Sequence, residues 1–282
     1  MVVSAVKEIR KIYSSVNADE IRSLTRQELK VGLLASGEPG FRAIEDFLGP
    51  AAAAKTTRTH CPDSALGPAA FDFILVEPGI PLPPKGYTFD VTRPADAMRK
   101  IADDFESREL ALACGFAPFR HTVADNIISR ISRENALCAL VTALPNIIPS
   151  VLDLPWALGE FATDTAFLTM NQIRMALLMA AAHDRIVGYR QQKMEIAAIA
   201  GGAFGWRALA RELVGKIPLG GGLIPKAAVA FAGTYVVGLG LEKINRNGEG
   251  LSKWERREAY AAALDTGKEV ARSMAAVFTK RS

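Results

Sequence analysis

Three cysteines and three histidines in 282 residues leave little material for thiol or metal chemistry. Cys61, Cys114 and Cys138 lie far apart and follow no CxxC or zinc-ligand spacing, so free thiols in a reducing compartment are expected. His60, His121 and His183 are equally scattered. His60-Cys61 is the one adjacent pair of metal-type ligands, and it has no companions. No metal or cofactor site is expected. The first residues, Met1 to Lys11, are charged by Lys7 and lack the apolar stretch of a signal peptide. The chain is therefore expected to start in the cytoplasm and stay on that side. No basic run is interleaved with stacking aromatics, which removes nucleic acid from the expected partners. Neither an internal repeat nor a heptad run is present.

What the chain has is apolar mass. Hydrophobic residues make up 49% and charged residues 23%, enough for a sizeable core and too much for disorder. The apolar residues concentrate between Ala136 and Leu241, and the mean hydropathy is +0.13. That value suits either a helical protein with a greasy half or a membrane-associated one. Residues 243–282 carry nine Lys or Arg against five acids, so the whole net charge of +4 can be assigned to this tail. A basic tail beside an apolar segment fits an anionic membrane surface. A solvated helix face of mixed charge is the plainer reading.

The pattern divides the chain into four parts: an amphipathic N-terminal helix (1–27), a small α/β portion (28–107), an apolar helical domain (108–245) and a basic amphipathic C-terminal helix (246–282). Short apolar runs at Leu29 to Ala35, Phe71 to Val76 and Tyr87 to Val91 predict strands, and residues 49–70 predict a loop or frayed helix. Helices are expected at about 41–48, from about 94, and at 108–115, 118–131 and 133–144. Further helices are expected at 155–182, 191–216 and 225–245. Asn17 is placed to cap an early helix, and Ser252-Lys253-Trp254-Glu255 has the spacing of a capping box that opens the last one. The fold class is mainly α, a bundle of apolar hairpins preceded by the α/β portion.

Strand, glycine-containing turn and helix over residues 30–48 form the arrangement that cradles phosphates. The G-x-x-x-x-G-K-[ST] pattern laid on Ala35 to Arg42 keeps only Gly40. Phe41 stands where the lysine belongs, and Arg42 where the hydroxyl belongs. Ile74 to Ile80 has the rhythm of the GTPase element Asp-Thr-Pro-Gly, with Val76 in place of its metal-linked aspartate. No Asn-Lys-x-Asp element occurs. The portion reads as a degenerate nucleotide-binding fragment or an unrelated βα unit, and hydrolysis of its own is not expected.

Glu160 and Asp164 lie four apart, with Arg174 further along, and Arg207 and Arg211 repeat that spacing in the next predicted helix. Acids and bases on apolar helices need partners, so a buried charge network of Glu160, Asp164, Arg174, Arg207 and Arg211 is expected. The chemical alternative is a metal-dependent enzyme using Glu160 and Asp164, although no His or Cys accompanies them. Pro218, Gly220, Gly221, Gly222 and Pro225 form an expected hinge that folds the flanking apolar helices into a hairpin. Ala227 to Leu241 is uncharged over fifteen residues, close to the length that spans a bilayer.

The motifs Ser132-Arg-Glu-Asn-Ala-Leu, Ala143-Leu-Pro-Asn-Ile-Ile-Pro-Ser, Leu152-Asp-Leu-Pro-Trp, Gly201-Gly-Ala-Phe-Gly-Trp-Arg, Lys216-Ile-Pro-Leu-Gly-Gly-Gly-Leu-Ile-Pro and Ala232-Gly-Thr-Tyr follow one another in order. Over about residues 130–245 the chain resembles an uncharacterised helical family associated with Era-like or dynamin-like GTPases. The resemblance implies a bacterial protein on the cytoplasmic side of the inner membrane, peripheral or integral, with a GTPase partner. It carries over no catalytic residue. The expected function is thus a non-enzymatic partner or scaffold of a GTPase at that membrane. The alternative is a cytoplasmic helical scaffold or homo-oligomer with no membrane role.

Overall fold

A computed structural model describes residues 17–50, 52–59, 70–142, 163–201 and 223–279. The chain is mainly helical, with one small parallel four-stranded sheet. It divides into two units: Ile21–Asn126 with Ala181–Arg185, and Ile127–Ala180 with Ile186–Ser282, the second also taking in residues up to Glu20.

The first unit holds the sheet. Helix α1 (Ala18–Thr25) leads to β1 (Val31–Leu34), then α2 (Glu38–Leu48), α3 (Ala52–Lys55), β2 (Thr56–Thr59), β3 (Phe73–Val76) and β4 (Gly86–Thr88). At the start of α1, the side-chain oxygen of Asn17 accepts the backbone N–H of Asp19 at 2.9 Å, as the cap position predicts. The strand order is β2-β1-β3-β4, all parallel. The two central strands read Val-Gly-Leu-Leu and Phe-Ile-Leu-Val and are buried throughout, the composition expected of parallel strands covered on both faces.

The β2 strand corrects, at residues 56–59, the loop or frayed helix expected for residues 49–70. Its sequence, Thr-Thr-Arg-Thr, is polar because it lies on the sheet's edge, where β-branched threonines fit and only one residue is buried. Arg58 secures it: its guanidinium donates two hydrogen bonds to Glu45 (2.6 and 2.7 Å) and one to Glu38 (2.9 Å) on α2. Helix α2 turns Phe41, Ile44 and Leu48 inward at helical spacing. Helices α4 (Ala95–Asp104) and α5 (Glu109–Gly115) complete this part of the chain.

Helix α6 (Phe119–Thr142) runs unbroken where the sequence predicted an interruption near residue 132. Ser132, at the expected break, is fully buried within the continuous helix. The second unit contains the rest of α6 from Ile127, most of α7 (Thr163–Ala182), α8 (Lys193–Ala200), α9 (Leu223–Asn247) and α10 (Lys253–Thr279). Pro225 falls in the first turn of α9, where the missing N–H costs nothing.

Helices α9 and α10 form a tight hairpin. Ala228, Ala232 and Val236 pack on Tyr260, Ala263 and Leu264, while Ala136 and Leu140 of α6 pack with Ala227, Phe231 and Ala271. At Gly267 a Cβ would stand 2.8 Å from the backbone oxygen of Ala228, so only glycine permits this approach. The predicted capping box opens α10: Ser252 N–H donates to Glu255 (2.7 Å), and Glu255 N–H donates to Ser252 Oγ (3.2 Å). Lys243 Nζ reaches the same carboxylate at 2.8 Å.

Candidate functional site

In an open parallel sheet the crevice lies beyond the carboxyl ends of the strands, where the strand order reverses. Here that point falls between β1 and β3. Helix α2 starts just past β1, with Gly37 as an extended N-cap lacking any side-chain cap. The free N–H groups of such a helix end attract an anion. A carboxylate stands beside this end. Glu77, directly after β3, accepts the backbone N–H of Ser36 at 2.7 Å and the Ser36 hydroxyl at 2.6 Å. These two bonds hold the Glu77 carboxyl below the usual carboxylate range, the hydroxyl bond being the larger cause. The carboxylate packs so closely on the next turn that a Cβ on Gly40 would meet its oxygen at 2.7 Å. Gly40, the sole survivor of the phosphate-loop pattern, therefore makes room for Glu77.

At the amino-terminal ends of β1 and β2 a cavity of about 520 Å³ is lined by Lys30, Lys55, Thr56, Thr57, Cys114 and Phe116, among others. Burial, reinforced by Asp184, pushes the Cys114 thiol up to about 11. It donates to the carbonyl of Ala181 at 3.2 Å. A thiol protonated at neutral pH and already engaged is not a nucleophile. Lys55 likewise donates to the Gly115 carbonyl at 3.4 Å.

The third concentration of polar groups lies within the second unit, where α6, α7 and α9 meet. Glu134 accepts Arg174 at 2.9 Å and Asn171 at 3.0 Å. Asn171 also donates to Asn135 at 2.9 Å, and Asn135 donates to Thr234 Oγ1 at 2.7 Å. Gln172 approaches the same hydroxyl at 3.4 Å. Asn135, Asn171, Gln172 and Thr234 are all buried to 1% exposure or less. These four are amide or hydroxyl, and the Glu134–Arg174 ion pair sits at their border, so the network joins the three helices.

Of the charge network expected from sequence, Arg174 is described, and it pairs with a carboxylate outside that set. Its carboxylate is Glu134, and the missed signal was Glu134 standing beside the buried Asn135 on α6. Asp164 occupies the second position of α7. Glu160, Arg207, Arg211, Pro218, Gly220, Gly221 and Gly222 lie outside the described residues, as do His60, Cys61 and residues 1–16. Among the described residues, no group of three or more His, Cys, Asp or Glu side chains converges as metal ligands.

One described helix is long and apolar enough to cross a membrane: Ile224–Asn247, with a mean hydropathy of 1.4 and 67% of its apolar window buried inside the molecule. No protein family, curated protein or solved structure matches the chain.

Proposed function

We propose that this chain is a non-enzymatic helical protein, held peripherally at the cytoplasmic face of a bacterial membrane, where it serves a separate GTPase as partner. The observation that carries this reading is Glu77 on Ser36. A carboxylate seated at the N-terminus of α2 excludes a phosphate by charge and by space. Nucleotide chemistry then belongs to another chain, the class of partner implied by the resemblance over residues 130–245. What supports a peripheral over an integral mode is α9: a helix that buries its small-residue face on the charged helix α10 already has its apolar partner.

The burial of α9 equally favours a second reading, a cytoplasmic helical scaffold or self-associating protein without a membrane role. Cell fractionation separates the two. The proposal expects the chain with membranes at physiological salt and its release by alkaline carbonate. Recovery in the soluble fraction throughout favours the scaffold, and release only by detergent overturns peripheral attachment. Affinity capture should bring down a GTPase, and calorimetry of the chain alone with magnesium-GTP should register no binding. Micromolar nucleotide affinity would remove the argument built on Glu77.

A further inference from the structure

The connection from α7 into α8 turns three large apolar side chains to water. Ile186 is 74% exposed, Tyr189 50% and Met194 71%. These exposures belong to a braced backbone. Gln192 is buried and uses both ends of its amide: Nε2 donates to the Ile186 carbonyl at 3.0 Å, and Oε1 accepts the Gly188 N–H at 2.8 Å. The backbone N–H of Gln192 donates to the Gly188 carbonyl at 3.0 Å. Val187, between Ile186 and Gly188, is buried to 3%. Inward-facing Val187, Gly188 and Gln192 thus fix Ile186, Tyr189 and Met194 as an outward set.

Two bases, Arg190 and Lys193, lie exposed between them, and no acid occurs from 186 to 194. Among the described residues neither base is in an ion pair. The basic C-terminal helix and its approach differ: Lys243 is bound to Glu255 at 2.8 Å, Lys268 to Asp265 at 2.8 Å, and Arg246 lies 3.6 Å from Glu242. Three of that tail's bases are thus paired at home, whereas Arg190 and Lys193 are free to meet a partner.

We propose that residues 186–194 form a lipid-contacting element. Ile186 and Met194 enter the acyl boundary of an anionic bilayer surface, Tyr189 sits at headgroup depth, and Arg190 and Lys193 meet the lipid phosphates. Aliphatic side chains, an aromatic with a polar tip and bases on long stems in one short braced segment match the chemistry of that interface. The proposal rests on the peripheral-membrane reading and names the element responsible for it.

The test uses the full chain sedimented with vesicles of phosphatidylcholine, alone or with phosphatidylglycerol. Binding should require the anionic lipid. The variant Arg190→Gln/Lys193→Gln should bind roughly thirtyfold more weakly, about fivefold per charge. Ile186→Ser/Tyr189→Ser/Met194→Ser should lose at least as much while staying folded by circular dichroism, because Val187 and Gln192, which brace the turn, are untouched. As a second measurement, Tyr189→Trp should show a blue-shifted emission on adding anionic vesicles that the parent chain does not. Wild-type-like binding by the triple serine variant, or no shift at Trp, overturns the element and leaves the peripheral reading standing. A chain that ignores anionic vesicles yet is carbonate-released from cell membranes also overturns it, because its attachment is then through protein.

Discussion

The Asn135–Thr234 hydrogen bond is the sharpest place to perturb the helical core. It joins α6 to α9 across 2.7 Å with both residues essentially without solvent contact. Replacing Thr234 with Val keeps the shape but deprives Asn135 of its best acceptor; its remaining contact, the Leu168 carbonyl, stands at 3.5 Å. An unsatisfied buried donor costs about 1–3 kcal/mol. Asn135→Leu removes two good bonds, to Thr234 and from Asn171, although Asn171 keeps Glu134. That substitution should cost about 2–4 kcal/mol by the same reasoning. The double variant leaves neither end of the central bond stranded. It should therefore cost less than the sum of the singles by about 1–2 kcal/mol, within the range for contacting pairs. Urea unfolding of the four proteins gives the coupling directly. Additivity within about 0.5 kcal/mol would refute a direct, structure-bearing bond between these helices.

Three further outcomes follow from individual contacts. Gly267→Ala gains helix propensity in isolation, yet its Cβ meets backbone at 2.8 Å, so thermal unfolding should show a destabilisation of about 1–3 kcal/mol; stabilisation would mean α9 and α10 are not so closely packed. Tyr260 is fully buried, its hydroxyl has no hydrogen-bond partner among the described residues, and burial pushes it up to about 12. Tyr260→Phe should accordingly be neutral or stabilising by melting temperature, and a clear loss would reveal a partner for that hydroxyl. Because the folded Glu77 carboxyl is held below its ordinary value, its stabilisation is complete above about pH 4.5 and fades as pH falls further. The melting-temperature gap between wild type and Glu77→Gln should close in that acidic range. A gap independent of pH would place the carboxylate away from Ser36.

Buried apolar runs announced the central strands, since Val31 to Leu34 and Phe73 to Val76 have only one way to be covered. The Ser252–Glu255 box and the Asn17 cap were equally legible, because local hydrogen bonding needs no knowledge of the fold. The edge strand at Thr56–Thr59 was not, as its polarity makes sense only once Arg58 is seen across from Glu38 and Glu45. Likewise Arg174 signalled a carboxylate partner, but nothing local could choose Glu134, forty residues earlier. The same limit applies to Glu77: its contact with Ser36 depends on β1 and β3 being neighbours. Long-range pairing, not residue chemistry, is what the sequence withheld.

The account turns on α9 being the core of a helical unit. Hydrogen exchange of the full chain in buffer without detergent tests this most directly. The amides from Ala228 to Leu241 should be among the slowest in the protein, exchanging only with global unfolding. Exchange of that segment within minutes, or protection that appears only in detergent or lipid, would contradict the packing of α9 on α10 and with it peripheral attachment.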